Sequence, residues 1–307
     1  MHRGVDCMLM KRIWPASWLT ILYALCVCAS AMRAGEEPQF NNDKEKTSRF
    51  LRLHRDENRQ PIALESAIVR YLPKDRSKSE PIVDLVTAVH IGEKSYYEQL
   101  NRQFEDYDAV LYELVAPEGT RVPKGGAESD SLISMVQKVM KNLLDLEFQL
   151  QMIDYTRPNL VHADMSPEQF AESMNKRGES IFSIFIRMLG AALAQQNSGN
   201  APATDAQLFL ALFDQNRARA LKRIMAEQFQ SMDGMLTALE GAGGSTLISE
   251  RNKTALNVLR KQIKDGKKKL AIFYGGGHMP DFDKRLRNEF GLESVNTRWF
   301  VAWDLKR

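Results

Sequence analysis

The sequence predicts an α/β fold: a mixed central sheet with flanking helices and a large α-helical insertion. Three observations carry this. Apolar runs that read as strands lie towards both ends of the chain, at 62–72, 81–90 and 109–115 and again at 270–274 and 295–304. An amphipathic stretch separates the second run from the third, which gives strand–helix–strand order and hence parallel pairing. Between about 130 and 240 the apolar spacing changes to three and four, the helical period.

Each element follows from local chemistry. Lys11 and Arg12 precede an apolar stretch from Ile13 to about Ala31, which ends in small residues. That is a secretory signal pattern over 1–34, with an uncleaved membrane anchor as its alternative. Residues 35–60 are polar and read as a disordered linker, with His54 exposed within it. The domain proper is expected over 61–304. Ser95 to Tyr107 is an amphipathic helix with Ser95 as its N-cap.

The insertion, about 130–240, opens with a long helix over 131–152. A short strand at NLVHAD then enters a helix whose Ser166, Pro167 and Gln169 form a capping box. The stretch 180–196 is apolar nearly all round and is expected to be a buried core helix, with a groove, a membrane-facing element or a homodimer interface as alternatives. A further long helix covers 205–232. After the loop GAGGS, Ser249-Glu250-Arg251-Asn252 opens a helix that Gly266 closes. A strand at 270–274, a helix at 280–290 and a strand at 295–304 complete the plan.

Composition excludes some functions. The 307 residues are 44% hydrophobic and 26% charged, as in an ordinary globular protein. A net charge of +3 gives no argument for nucleic acid. All three cysteines, Cys7, Cys26 and Cys28, fall within the signal segment. A mature exported chain would therefore use neither disulfides nor cysteine chemistry, and its stability must come from its core.

Position on the sheet singles out candidate residues. In α/β sheets, ligands bind outside the carboxyl ends of strands. His90 ends the second strand, Glu113 lies late in the third, and His278 follows the strand KLAIFY through Gly275, Gly276 and Gly277. Two imidazoles and a carboxylate suit a divalent transition metal. Each also has a structural reading. Strand-end histidines are commonly hydrogen-bonded, Glu113 could pair with Arg251, and three glycines could form a tight turn or an anion cradle. No Walker or GxGxxG pattern accompanies them. What favours a site is the repeated context, two of only five histidines at matching strand ends. His162 and Asp164 are secondary candidates from the insertion, and Asp281 reads first as a complement to a helix N-terminus.

On these residues the chain resembles the TraB/GumN/Tiki superfamily, which carries two GxxH-type motifs, a glutamate after the first and an arginine before the second. Gly275-Gly276-Gly277-His278 matches the second motif, Glu113 the glutamate and Arg251 the arginine. Thr87-Ala88-Val89-His90 matches the first, with Thr87 where the family has glycine. The resemblance spans about 62–304 and is weakest over the insertion.

It implies a TraB/Tiki/erythromycin-esterase-like architecture and a metal-dependent peptidase. His90, His278 and Glu113 would hold one manganese, cobalt or zinc ion, with Glu113 as third ligand or general base. Arg251 would grip a substrate carboxylate or oxyanion, or else pair with Glu113 and order the site. Gly275 to Gly277 would let a peptide or protein substrate approach. The expected location is exported: periplasmic, extracellular, or anchored to a membrane by the N-terminal segment. Two other readings use the same pocket. One is a binding protein that sequesters a peptide without turnover, which Thr87 favours; the other is hydrolysis of a different bond, such as an ester.

Overall fold

The computed structural model describes residues 49–75, 77, 80–117, 119–120, 122–125, 141, 143–180, 183, 205–240 and 244–306. The expected signal segment, residues 131–140 of the first insertion helix and most of the apolar stretch 180–196 lie outside them. No helix among the described residues is long and apolar enough to cross a membrane.

The elements run β1 (Leu51–Arg55), β2 (Pro61–Pro73), β3 (Ile82–Ala88), β4 (Ile91–Gly92), α1 (Lys94–Phe104), β5 (Ala109–Tyr112), β6 (Glu147–Phe148) and α2 (Gln149–Met152). Then come β7 (Leu160–His162), α3 (Pro167–Lys176), α4 (Asp205–Leu212), α5 (Arg217–Glu240), α6 (Arg251–Lys264), β8 (Lys269–Gly275), α7 (Met279–Glu289) and β9 (Leu292–Asp304). A π-helical turn, Thr246–Glu250, leads into α6, and a 3-10 turn, Gly276–His278, leads into α7.

The main sheet has the order β1-β2-β3-β8-β5-β7, with β9 also on β2. It is mixed. β3, β8, β5 and β7 are mutually parallel, whereas β1, β3 and β9 run antiparallel to β2. The expected strand–helix–strand unit is β3-α1-β5, and β8, from far along the chain, inserts between its two strands. The carboxyl ends of four parallel strands therefore share one edge.

Side-chain alternation builds a core on each face. On one face Val86, Ala88, Phe273 and Tyr112 pack with Tyr96, Leu100 and Phe104 of α1 and Leu221 of α5. On the other, Leu85, Ile272, Tyr274 and Leu111 pack with Leu256 and Leu259 of α6 and Phe282 and Leu286 of α7. Both faces are covered, so the parallel strands read as continuous apolar runs.

Several local expectations hold. Ser166 accepts from Gln169 N while the Gln169 side chain accepts from Ser166 N, the reciprocal capping box at the start of α3. Gly266, at φ 86°, closes α6. Its N–H donates to Ile263 O and that of Lys267 to Gln262 O, the paired bonds of a Schellman cap.

Other expectations are corrected. The stretch 35–60 is not all linker, because Leu51–Arg55 forms β1 against β2. Ser95 lies inside α1, whose N-cap is Glu93 with no side-chain cap bond. The expected helix over 131–152 does not run through: β6 pairs antiparallel with β4, and only the four-residue α2 follows. The expected helix over 205–232 breaks between α4 and α5, where Asp214 accepts from Asn216 N and Asn216 from Arg219 N. The short strand expected at NLVHAD does form, as β7, and it joins the main sheet beside β5. Finally, β5 stops at Tyr112, so Glu113 is the first residue past the strand.

Candidate functional site

Glu113 lies at the centre of the shared strand edge. Its Oε2 accepts the Gly275 N–H at 2.8 Å, and its Oε1 accepts from Arg251 Nη2 at 2.7 Å. Its side chain is only 10% exposed. Burial alone would push its pKa up, but the Arg251 charge, followed by that of His278, overrides this and holds it well below the ordinary carboxylate range.

Arg251 reaches this position because the π turn ahead of it is tied down. Ser245 accepts from Ile248 N, and Thr246 N donates to Glu179 Oε2. The guanidinium spends its fork internally. Nε donates to Asp164 Oδ1 at 2.9 Å and Nη2 to Asp164 Oδ2 at 2.6 Å, and Nη2 also serves Glu113. Its side chain is 2% exposed, so it faces two carboxylates rather than solvent. Of its two expected roles, the geometry favours ordering Glu113 over gripping substrate.

His278 is buried at the end of the 3-10 turn. Its Nδ1 lies 2.7 Å from Asn252 Oδ1 and its Nε2 3.4 Å from Glu113 Oε1. Tyr274 stands edge-on to the ring at 5.2 Å and donates its hydroxyl to Ala163 O at 2.5 Å. Burial, then the charge of Asp164, raises the Tyr274 pKa well above the usual phenol value, so it remains a neutral donor. Asp281 is a partner one step out, accepting from Asn252 Nδ2 and from Arg285 Nε.

His90 approaches from the third side. It is the exposed member, with Nδ1 3.2 Å from Gln149 Oε1 and its carbonyl accepting from Gln149 N. Gln149 in turn donates to Tyr155 Oη at 2.9 Å. Gly275 explains how these groups fit. A Cβ there would lie 3.3 Å from Glu113 Oε2 and 3.6 Å from His90 Nε2. The glycine thus leaves open a point lined by both groups. Its φ is −57°, so space rather than backbone freedom is what it supplies.

The candidates separate cleanly. His90, Glu113, His278, Arg251 and Gly275 come together. His162 does not join them, because its Nε2 donates to Leu114 O at 2.6 Å. Asp164 acts through Arg251. Gly276 contributes a milder fit, with a Cβ 3.5 Å from Thr87 Cγ2. Gln149, Tyr155 and Asn252 escaped the sequence reading. A signal existed for Asn252: it shares a fully buried stripe with Ala255, Leu256 and Leu259, where a polar residue needs a reason.

For a cation, the donor chemistry fits. His90 Nε2 and the Glu113 carboxylate border the space that Gly275 keeps clear, His278 Nε2 lies 3.4 Å from the other carboxylate oxygen, and one buried guanidinium faces two carboxylates, leaving a negative balance. Among the described residues, however, no group of three or more His, Cys, Asp or Glu is set close enough to form a ready ligand cage. Comparison of the chain with protein-family models, curated proteins and solved structures found no match.

Proposed function

We propose that this chain is an exported metal-dependent hydrolase cleaving peptide bonds, of the TraB/GumN/Tiki kind, in which His90, His278 and Glu113 hold one manganese, cobalt or zinc ion. The observation that supports this most is the approach of His90 Nε2 and Glu113 Oε2 to the same point above Gly275, with His278 Nε2 3.4 Å from the other carboxylate oxygen. When bound, the ion supplies Lewis acidity to a substrate carbonyl.

The chain's own residues do the rest. Arg251 and the Gly275 N–H hold Glu113 ionised and oriented. A carboxylate held well below its usual range is a poor proton acceptor, which favours Glu113 as a ligand over a general base. Substrate backbone would reach the site across Gly275 and Gly276, which present no side chain. The Gly276–His278 turn precedes α7, where the helix dipole favours developing negative charge.

A second reading, sequestration of a peptide without turnover, is favoured by one observation. Glu113 and Arg251 are committed to each other, which removes both from proton transfer and substrate contact. A peptide library incubated with the chain plus manganese, cobalt or zinc separates the two. Cleavage that depends on the metal and is lost in His90→Ala and His278→Ala supports the hydrolase. Metal uptake with no cleavage supports sequestration, and a chain that takes up no metal removes the hydrolase.

A further inference from the structure

We propose that Asn252 is a positioning residue that fixes the His278 ring in its Nδ1–H tautomer and so turns the Nε2 lone pair onto Glu113. The inference deepens the reading above, but its geometry stands without a metal.

The orientation of the Asn252 amide is forced. Its Nδ2 lies 3.0 Å from His278 O and 2.9 Å from Asp281 Oδ2. A peptide oxygen and a carboxylate oxygen accept, so the group facing both must be the NH2 donor. The atom 2.7 Å from His278 Nδ1 is then the amide oxygen, which only accepts. Nδ1 therefore carries the proton. In the neutral ring Nε2 is left with a lone pair, 3.4 Å from Glu113 Oε1. Two acceptors then face each other, a pairing that a proton or a metal ion shared between them would relieve.

The arrangement is braced on both sides. Arg285 holds Asp281 at 2.7 Å, and Arg251 holds Glu113. Asn252 is fully buried, with both amide hydrogens and its oxygen engaged. His90 has a looser counterpart in Gln149. There the amide orientation leans on the Tyr155 hydroxyl, which can donate or accept, so tautomer control is strict only at His278.

The test is long-range 1H–15N NMR of the full chain, 15N-labelled at histidine, without metal and at a pH about two units above the ordinary imidazole value. The expected wild-type result is His278 protonated at Nδ1 alone. Asn252→Leu should move the proton to Nε2, where Glu113 accepts it. A wild-type ring protonated at Nε2 overturns the proposal, and so does an Asn252→Leu ring that stays Nδ1–H. The wild-type spectrum decides even if Asn252→Leu fails to fold. Cobalt titration of the same sample tests the metal reading separately: a wild type that is Nδ1–H yet binds no cobalt supports the role of Asn252 and removes the metal.

Discussion

Arg251 and Asp164 form a two-point ion pair, Nε to Oδ1 at 2.9 Å and Nη2 to Oδ2 at 2.6 Å, with neither side chain more than 2% exposed. The pair does more than anchor the insertion to α6. It fixes the guanidinium so that Nη2 also meets Glu113, and through it the insertion determines where Glu113 stands.

Removing the guanidinium should therefore be costly. Arg251→Met would leave two carboxylates buried without a countercharge, and breaking such a group costs about 3–5 kcal/mol. Arg251→Lys should recover little, because a point charge cannot span both partners as a planar fork does. Urea unfolding of both variants measures this, and a loss below about 1 kcal/mol for Arg251→Met would show that the pair is not a structural keystone.

Acid should weaken the fold through Glu113. Burial works to raise its pKa, yet Arg251 and then His278 bring the net shift well down. With the folded pKa below the unfolded value of about 4.3, this group's stabilisation is fully present above that value. It is lost as pH falls through the unfolded value towards the folded one. Stability measured against pH should decline in this window, and Glu113→Gln should flatten the decline. An unchanged slope in that variant would assign the acid sensitivity elsewhere.

Gly275 and Gly276 should respond differently to a methyl group. At Gly275 the new Cβ meets Glu113 Oε2 at 3.3 Å and His90 Nε2 at 3.6 Å, so Gly275→Ala should displace the carboxylate and weaken cobalt binding by about tenfold or more. At Gly276 the nearest atom is Thr87 Cγ2 at 3.5 Å, an ordinary contact, so Gly276→Ala should bind nearly as wild type. Calorimetric titration of both compares them directly, and equal losses would remove the special role of Gly275.

Thr87 offers a test on stability alone. Its hydroxyl is the one buried side-chain polar atom without a hydrogen-bond partner among the described residues. Thr87→Val keeps the shape and removes the orphan, so thermal unfolding should shift upward by the equivalent of about 1 kcal/mol. A downward shift would mean that the hydroxyl has a partner, such as an internal water.

What the sequence made legible is what local chemistry governs. The apolar runs of β2, β3 and β8, the capping box at Ser166 and the glycine at Gly266 each declare themselves within a few residues. The strand ends carrying His90 and His278, and Glu113 just past one, were likewise readable, because chain position alone puts them on the carboxyl edge of the parallel strands. The rest depends on meetings across long separations. β1 hides in a charged stretch because Arg52 and His54 pair with Glu65 on its partner strand. Gln149 lay inside an apparent helix, and only the pairing of β6 with β4 delivers it to His90. For Arg251, substrate contact and pairing with Glu113 were both open until the fold brought Asp164 to it from 87 residues away.

The central claim is that His90, His278 and Glu113 together hold one divalent ion. The direct measurement is metal content of the full chain after exposure to manganese, cobalt and zinc, beside His90→Ala and His278→Ala. The account predicts about one equivalent in the wild type and its loss in both variants. A wild type that binds none of the three metals, or variants that bind as well as it does, would contradict it.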